Sequence, residues 1–194
     1  MTDSSTGGYL LPNNPPAAPI EDAALDEFMG DIIAGCTGLD RDKFVRPRWQ
    51  LDVPNAPARN VNWVAFGVMR RRADTFAVEQ HDPTDQGTDV MIRHEELDLL
   101  ASFYGPNCQA YGTLLRDGLS IAQNREPLFL AGMGVISVGD VTRAPEMLKS
   151  AWYGRADLPY SIRREVRRVY PVLNLLSAAG TVFTAGGPTT SFNA

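Results

Sequence analysis

The chain has 194 residues, 44% of them hydrophobic and 21% charged, with a formal net charge of −5. That is ordinary for a globular protein and long enough for one domain with a core of its own. No run approaches about eighteen uninterrupted apolar residues, which excludes a helical membrane span, and the acidic balance argues against a sequence-reading DNA binder. The charge is uneven: residues 1–100 hold 17 acids against 9 bases, residues 101–194 hold 6 acids against 9 bases. Faces of opposite sign suit head-to-tail contacts between copies.

The first twenty residues, rich in Pro, Asn, Ser and Gly, predict a flexible or laid-down arm. They lack a positive start and a long apolar core, so no signal peptide is expected. Asp22–Gly35 is the first expected helix. Leu25, Phe28, Met29, Ile32 and Ile33 recur at helical spacing, acids open it, and Gly35 is the expected stop. Residues 41–59 are Pro-studded and predict an ordered loop with a short strand near Trp49–Leu51. Trp63–Gln80 and Thr88–Tyr104 alternate with period two around a turn at Asp82–Gly87, which predicts two long antiparallel strands of a hairpin.

Phe103–Arg125 opens as a strand, breaks at Gly105-Pro106 and becomes a helix, with Pro106 expected as its first residue. Ala110, Leu114, Leu115, Leu119 and Ala122 are its expected apolar stripe. Glu126-Pro127 ends this helix or starts a short continuation through Leu130. Gly134–Val141 is the next expected strand. Ser161–Tyr170 fits both helical and strand periods; its β-branched residues and the following Pro171 favour strand. Val172–Phe183 is expected to finish the sheet and Ala185–Ala194 to form a tail. The fold class expected is therefore α+β: a mixed, largely antiparallel sheet with two main helices packed on it and extended terminal arms. The expected organisation is an arm at 1–20, one domain at 21–184 and a tail at 185–194.

Catalytic and metal-binding patterns find no support. His81 and His94 are the only histidines, and His94-Glu95-Glu96 matches no metal-ligand spacing. The glycines build neither GxGxxG nor GxxxxGK. Cys36 and Cys108 lie 72 positions apart, form no CxxC and have no neighbouring histidine to act as base, so buried reduced thiols are expected. No catalytic residue, metal or cofactor is assigned. The arginines are more informative. Arg70, Arg71 and Arg72 interrupt one apolar strand, and Arg163, Arg164, Arg167 and Arg168 interleave another. Three readings stay open: a salt-bridged sheet surface, forked contacts to a neighbouring subunit's carboxylates, or phosphate contacts. Together with Trp152, Tyr153 and Arg155 in a Gly/Arg-flanked loop, they are the candidate subunit or partner contacts.

Seven landmarks in order, spanning about residues 45–175, are Val45–Gln50 (VRPRWQ), Asn62–Gly67 (NWVAFG), Arg93–Glu95, Ser102–Pro106 (SFYGP), Ile121–Glu126 (IAQNRE), Arg155–Leu158 (RADL) and Val169–Pro171 (VYP). This ordered set resembles the neck terminator (tail terminator, head-to-tail joining) proteins of tailed bacteriophages. The resemblance implies a non-enzymatic virion protein of mixed α/β fold, assembled in the host cytoplasm, with six copies in a ring. It would cap the tail tube, join it to the head connector or a neck protein, and touch the sheath if the tail is contractile. DNA would pass through the lumen without sequence recognition, and no membrane is involved. A chain of this length has a radius of gyration of about 16 Å, so six such bodies leave a central hole of roughly 40 Å. The alternatives are a head completion or tail tube protein of the same machinery, or a small ligand-binding or enzymatic domain.

Overall fold

A computed structural model describes residues 3–13, 19–50, 55–148, 151–175, 179–182 and 190–193. In chain order its elements are α1 (Asp22–Thr37), α2 (Arg41–Phe44), β1 (Val45–Pro47), β2 (Trp63–Ala73), β3 (Val78–Asp82), β4 (Thr88–Tyr104) and α3 (Cys108–Gly118). A 3-10 turn (Gln123–Arg125) leads into α4 (Glu126–Leu130), and then β5 (Met133–Val138), β6 (Thr142–Arg143), β7 (Glu146–Leu148) and β8 (Ala151–Tyr153) follow. The described chain closes with β9 (Arg155–Tyr170), β10 (Ala179–Val182) and β11 (Thr190–Asn193).

Seven strands form one open, mostly antiparallel sheet in the order β1-β2-β4-β9-β5, with β3 also on β4 and β6 also on β9. The α+β class expected from the sequence is what the structure has. β1 runs parallel to β2, and β2 and β3 each pair antiparallel with β4. The expected hairpin is thus present, but its first arm is broken: Asp74–Ala77 separate β2 from β3. β9 resolves the helix-or-strand ambiguity of Ser161–Tyr170 in favour of strand. Its buried residues alternate from Ala156 to Val166, the signature of a ribbon with one face on the core.

The packed residues fall into two compact units, one from 19–77 with 93–166, the other from the described residues of 1–18, 78–92 and 167–194. In the larger unit α1 and α3 cover the sheet face that carries Val64, Phe66, Leu97, Leu99, Phe103, Leu158 and Ile162, all nearly inaccessible to solvent. Burying these side chains is the main drive to fold this unit, at about 1.5–3 kcal/mol each. The helices approach closely where Gly118 faces α1; a Cβ there would sit 3.0 Å from Cys36 Cβ.

Several boundaries differ from the sequence expectation. α1 runs past Gly35, which lies exposed on its outer side, and stops at Gly38, whose φ of 73° takes the left-handed cap and returns its N–H to Ala34 O at 2.8 Å. The short strand expected near Trp49 lies earlier, at Val45–Pro47, and Leu51–Pro54 fall outside the described residues. Helix α3 begins at Cys108 rather than Pro106. Gly105, at φ 109°, and the turn after it come first, and Asn62 Oδ1 accepts the Asn107 N–H at 2.9 Å. Of its expected stripe, Leu115 and Leu119 are buried, but Ala110, Leu114 and Ala122 are exposed; Cys108 and Gly112 take the inner positions. The continuation through Leu130 exists as α4, with Pro127 in its first turn. The strand expected at Gly134–Val141 is β5, one residue earlier and shorter. β10 does not finish the main sheet: it pairs with β11 as a separate ladder, so a strand stands where a tail was expected.

In the smaller unit the N-terminal residues are laid down. Asn13 bridges Val169, and Ser4 N–H donates to Pro171 O at 3.1 Å.

Candidate assembly surfaces

The arginines singled out in the sequence do different jobs. Arg164, on the helix-covered face of β9, is 2% exposed. Its Nη2 donates to Glu95 at 2.8 Å and Glu21 at 2.7 Å, and its Nη1 to Ile20 O at 2.6 Å. Arg71 completes the group, 2.6 Å from Glu21 and 3.9 Å from Glu95. Two guanidinium groups and two carboxylates thereby neutralise each other and fasten the entry of α1 to β4 and β9. Arg164 is spent inside the chain, so it offers nothing to a neighbour.

The opposite face of the larger unit's sheet is polar, because the same strands alternate. Arg72 meets Glu96 at 2.6 Å and Asp98 at 3.1 Å, and Ser161 Oγ donates to Asp98 at 2.8 Å. Arg163 reaches Asp74 at 3.4 Å from an exposed position. Arg155 grips both oxygens of Asp157, at 2.8 and 2.9 Å, and lies 3.5 Å from Glu146. The Asp157 carboxylate holds its guanidinium above the usual range. Arg70 is exposed on the same strand as Arg72. Arg167 is exposed and Arg168 half-buried, both in the smaller unit.

At one end of the polar face four side chains stack. Trp63 and Tyr104 are cross-strand partners with rings 4.4 Å apart and 12° from parallel. Arg46 caps Trp63 at 5.7 Å and Arg155 caps Tyr104 at 5.8 Å. A flat aromatic pair between two cations is a rigid, amphipathic patch. Arg48 lies beside it, its Nη2 donating to Ser102 Oγ at 2.6 Å. Sequence reading passed over Arg46 and Arg48 as loop residues. The signal available was their place in VRPRWQ, one turn after α1 and on either side of a proline.

Trp152 and Tyr153 lie on strand β8, with Arg155 opening β9, where a loop was expected, and the two aromatics part company. Tyr153 is buried, with its hydroxyl donating to Pro57 O at 2.8 Å and Arg59 over its ring at 5.8 Å. Trp152 is 65% exposed and pairs across the β7–β8 hairpin with exposed Met147. A cavity of about 570 Å³ opens there, lined by Arg59, Pro106, Asn107, Arg143 and Trp152 among others. A second apolar surface was not foreseen. Phe129 and Leu130 of α4 are 79% and 77% exposed, and Ile136 stands out at the bulge of β5.

In the smaller unit His81 ties three segments together. Its Nδ1 lies 2.6 Å from Asp89 Oδ1 and its Nε2 2.8 Å from Asn174 Oδ1. Asn174 Nδ2 donates to Pro83 O and Asp85 O, which fixes the amide so that its oxygen faces the ring. Both ring nitrogens therefore meet acceptors, the arrangement of a doubly protonated imidazolium. Asp89, then Asn174, raises the His81 pKa above its usual value.

Among the described residues no group of three or more His, Cys, Asp or Glu side chains could hold a metal ion. Burial pushes the Cys36 thiol up, away from the reactive thiolate. Among the described residues no helix is long and apolar enough to cross a membrane. What the described residues present is paired charge, a capped aromatic stack and exposed apolar side chains.

A family model described as phage neck terminator protein matches residues 23–186. No curated protein matches the chain.

Proposed function

The chain belongs to the phage neck terminator protein family, structural proteins of the virion neck, and from that premise we propose that it is the ring that ends the tail. Copies close head-to-tail around the tail axis, one rim seated on the tail tube and the other presented to the head connector. Seating on the last ring of tube subunits removes the surface on which the next would add, so growth stops. The open centre lets DNA through without reading its sequence.

The family match over 23–186 carries this reading. Three features of the chain support it. Its sheet is open, ending in the short strand β1 and in β5, so edges remain for neighbours. α4 and β5 expose Phe129, Leu130 and Ile136 beside an apolar groove of about 500 Å³, more contiguous apolar side chain than a lone domain needs to show. Charge is segregated along the chain, which favours a heterologous contact, the kind that closes a ring. Among the arginines, Arg70, Arg163, Arg167 and Arg168, with Trp152, are placed to reach a partner.

Tail assembly with and without the protein tests it. Tubes assembled with it should stop at a uniform length and accept heads; tubes assembled without it should overrun and stay headless. Tubes of normal length that accept heads in its absence would refute the proposal.

A further inference from the structure

We propose that the β7–β8 hairpin of one copy seats Trp152 and Met147 in the apolar groove between α4 and β5 of a second copy of this chain. The inference rests on the ring reading above and names the contact that closes it.

The register of the hairpin builds the knob. Met147 and Trp152 are cross-strand partners, so their side chains stand together on one face. The next pair, Glu146 and Tyr153, turns the other way, and buried Tyr153 is fastened through its hydroxyl to Pro57 O at 2.8 Å. That anchor holds the hairpin in place and leaves Trp152 and Met147 exposed. The groove has the matching concave shape. Buried Leu128 and Met133 line it with exposed Phe129 and half-buried Val135, and its volume of about 500 Å³ takes an indole and a thioether side by side. One contact removes both apolar surfaces from water.

Position on the fold decides whose groove is filled. The hairpin stands at the start of α3, where Trp152 and Pro106–Ala110 line one cavity. The groove lies past the end of α3, where Asn124 Nδ2 donates to Gly118 O at 3.0 Å and Gln123 and Arg125 border the groove. Strand β9 gives the separation. The hairpin leads directly into Arg155, whereas Met133 and Val135 of the groove pair with Arg164 and Ile162. At about 3.3 Å per residue those levels are roughly 25 Å apart. A hairpin with strands of three residues does not reach its own groove, so the occupant belongs to another molecule. Both elements lie in the larger unit. Each copy therefore gives at one end and takes at the other, the heterologous contact that repeats until a ring closes. The charge agrees. Arg143 and Glu146, the latter held only loosely by Arg155 at 3.5 Å, flank the hairpin. Arg125 and Glu126 flank the groove, so each rim carries one cation and one anion for the other to meet. A rim of both signs suits a protein partner rather than a phosphate backbone.

Sedimentation velocity with negative-stain imaging, on the full chain alone and with tail tubes, tests the contact. Trp152→Ala and Phe129→Ala should each raise the subunit dissociation constant roughly thirtyfold, with unchanged circular dichroism spectra because both side chains are exposed. The double variant should lose far less than the product of the two, because they remove the same contact. Met147→Cys with Glu126→Cys keeps Trp152 and Phe129 in place. Under mild oxidation that chain should link into a ladder of copies, and either cysteine alone should not. Should an alanine variant misfold, the cysteine pair decides: assembled rings that give no ladder overturn the contact. Losses that simply multiply put the two residues in different contacts and overturn the proposal, as do rings that form equally well in every variant; both leave the ring reading standing. A wild-type chain that never self-associates, alone or on tubes, overturns both. Weaker attachment to tubes or heads with self-association unchanged assigns these surfaces to other partners, and also overturns the proposal.

Discussion

Arg164 shows how one side chain can hold a fold together without adding a surface. Its guanidinium is enclosed, and every bond it makes is to Glu95, Glu21 or the Ile20 carbonyl. Arg164→Ala should therefore destabilise the protein by about 3–5 kcal/mol, because two carboxylates lose their enclosed cation and are left with the half-exposed Arg71 alone. Denaturant unfolding measures it, and a loss no larger than that of an exposed arginine would contradict the account. His81 makes a different prediction. Its pKa is raised in the folded chain by Asp89 and Asn174, so its stabilising contribution is whole below the unfolded value near 6.5 and fades as pH rises through the folded value. Hydrogen exchange of the amides at 172–175 should accelerate over that window beyond its intrinsic pH dependence. In His81→Gln that extra acceleration should vanish. Neither residue's role was legible in the sequence. The partners of Arg164 lie 69 and 143 positions away, and Asn174, which with Asp89 holds His81, lies 93 positions away; no local pattern encodes so distant a pairing.

At the scale of elements the sequence was informative wherever one face of a ribbon is buried. β4 and β9 alternate because their inner residues pack under α1 and α3, and period two is read directly from composition. The reading was weaker where a single backbone angle decides. α1 passes Gly35 and ends at Gly38, and α3 waits until Gly105 has turned the chain. The stripe of α3 was misjudged because this short helix turns Cys108, Gly112 and Leu115 inward, Gly112 against Val141 and Phe103, leaving Leu114 outside. Gly105 yields a test. Besides its φ of 109°, a Cβ there would come within 2.5 Å of Val61 O, a backbone atom that cannot step aside. Gly105→Ala should cost about 1–3 kcal/mol, read as a lowered melting temperature. Gly35→Ala, where a Cβ meets nothing, should instead stabilise by about 0.4–1 kcal/mol. The reverse order would mean that the turn at Gly105 is not what positions α3.

For the whole molecule, the candidate contact residues split into those turned inward and those still available. Arg71, Arg164 and Tyr153 hold the monomer; Trp152, Arg163, Phe129 and Leu130 are exposed, and we propose that they meet partners. An apolar side chain that serves only assembly can be changed without touching the fold. Phe129→Asp should shift unfolding free energy by no more than about 0.5 kcal/mol while weakening self-association or head joining. A variant that unfolds would place Phe129 in the monomer's own packing instead. The central claim, that this neck terminator family member acts as a closed ring, is tested most directly by its mass in solution and its negative-stain image, alone and on purified tail tubes. The account predicts a ring of about six copies, free or formed on the tube end. A monomer that stays monomeric and ignores both tubes and connectors would contradict it.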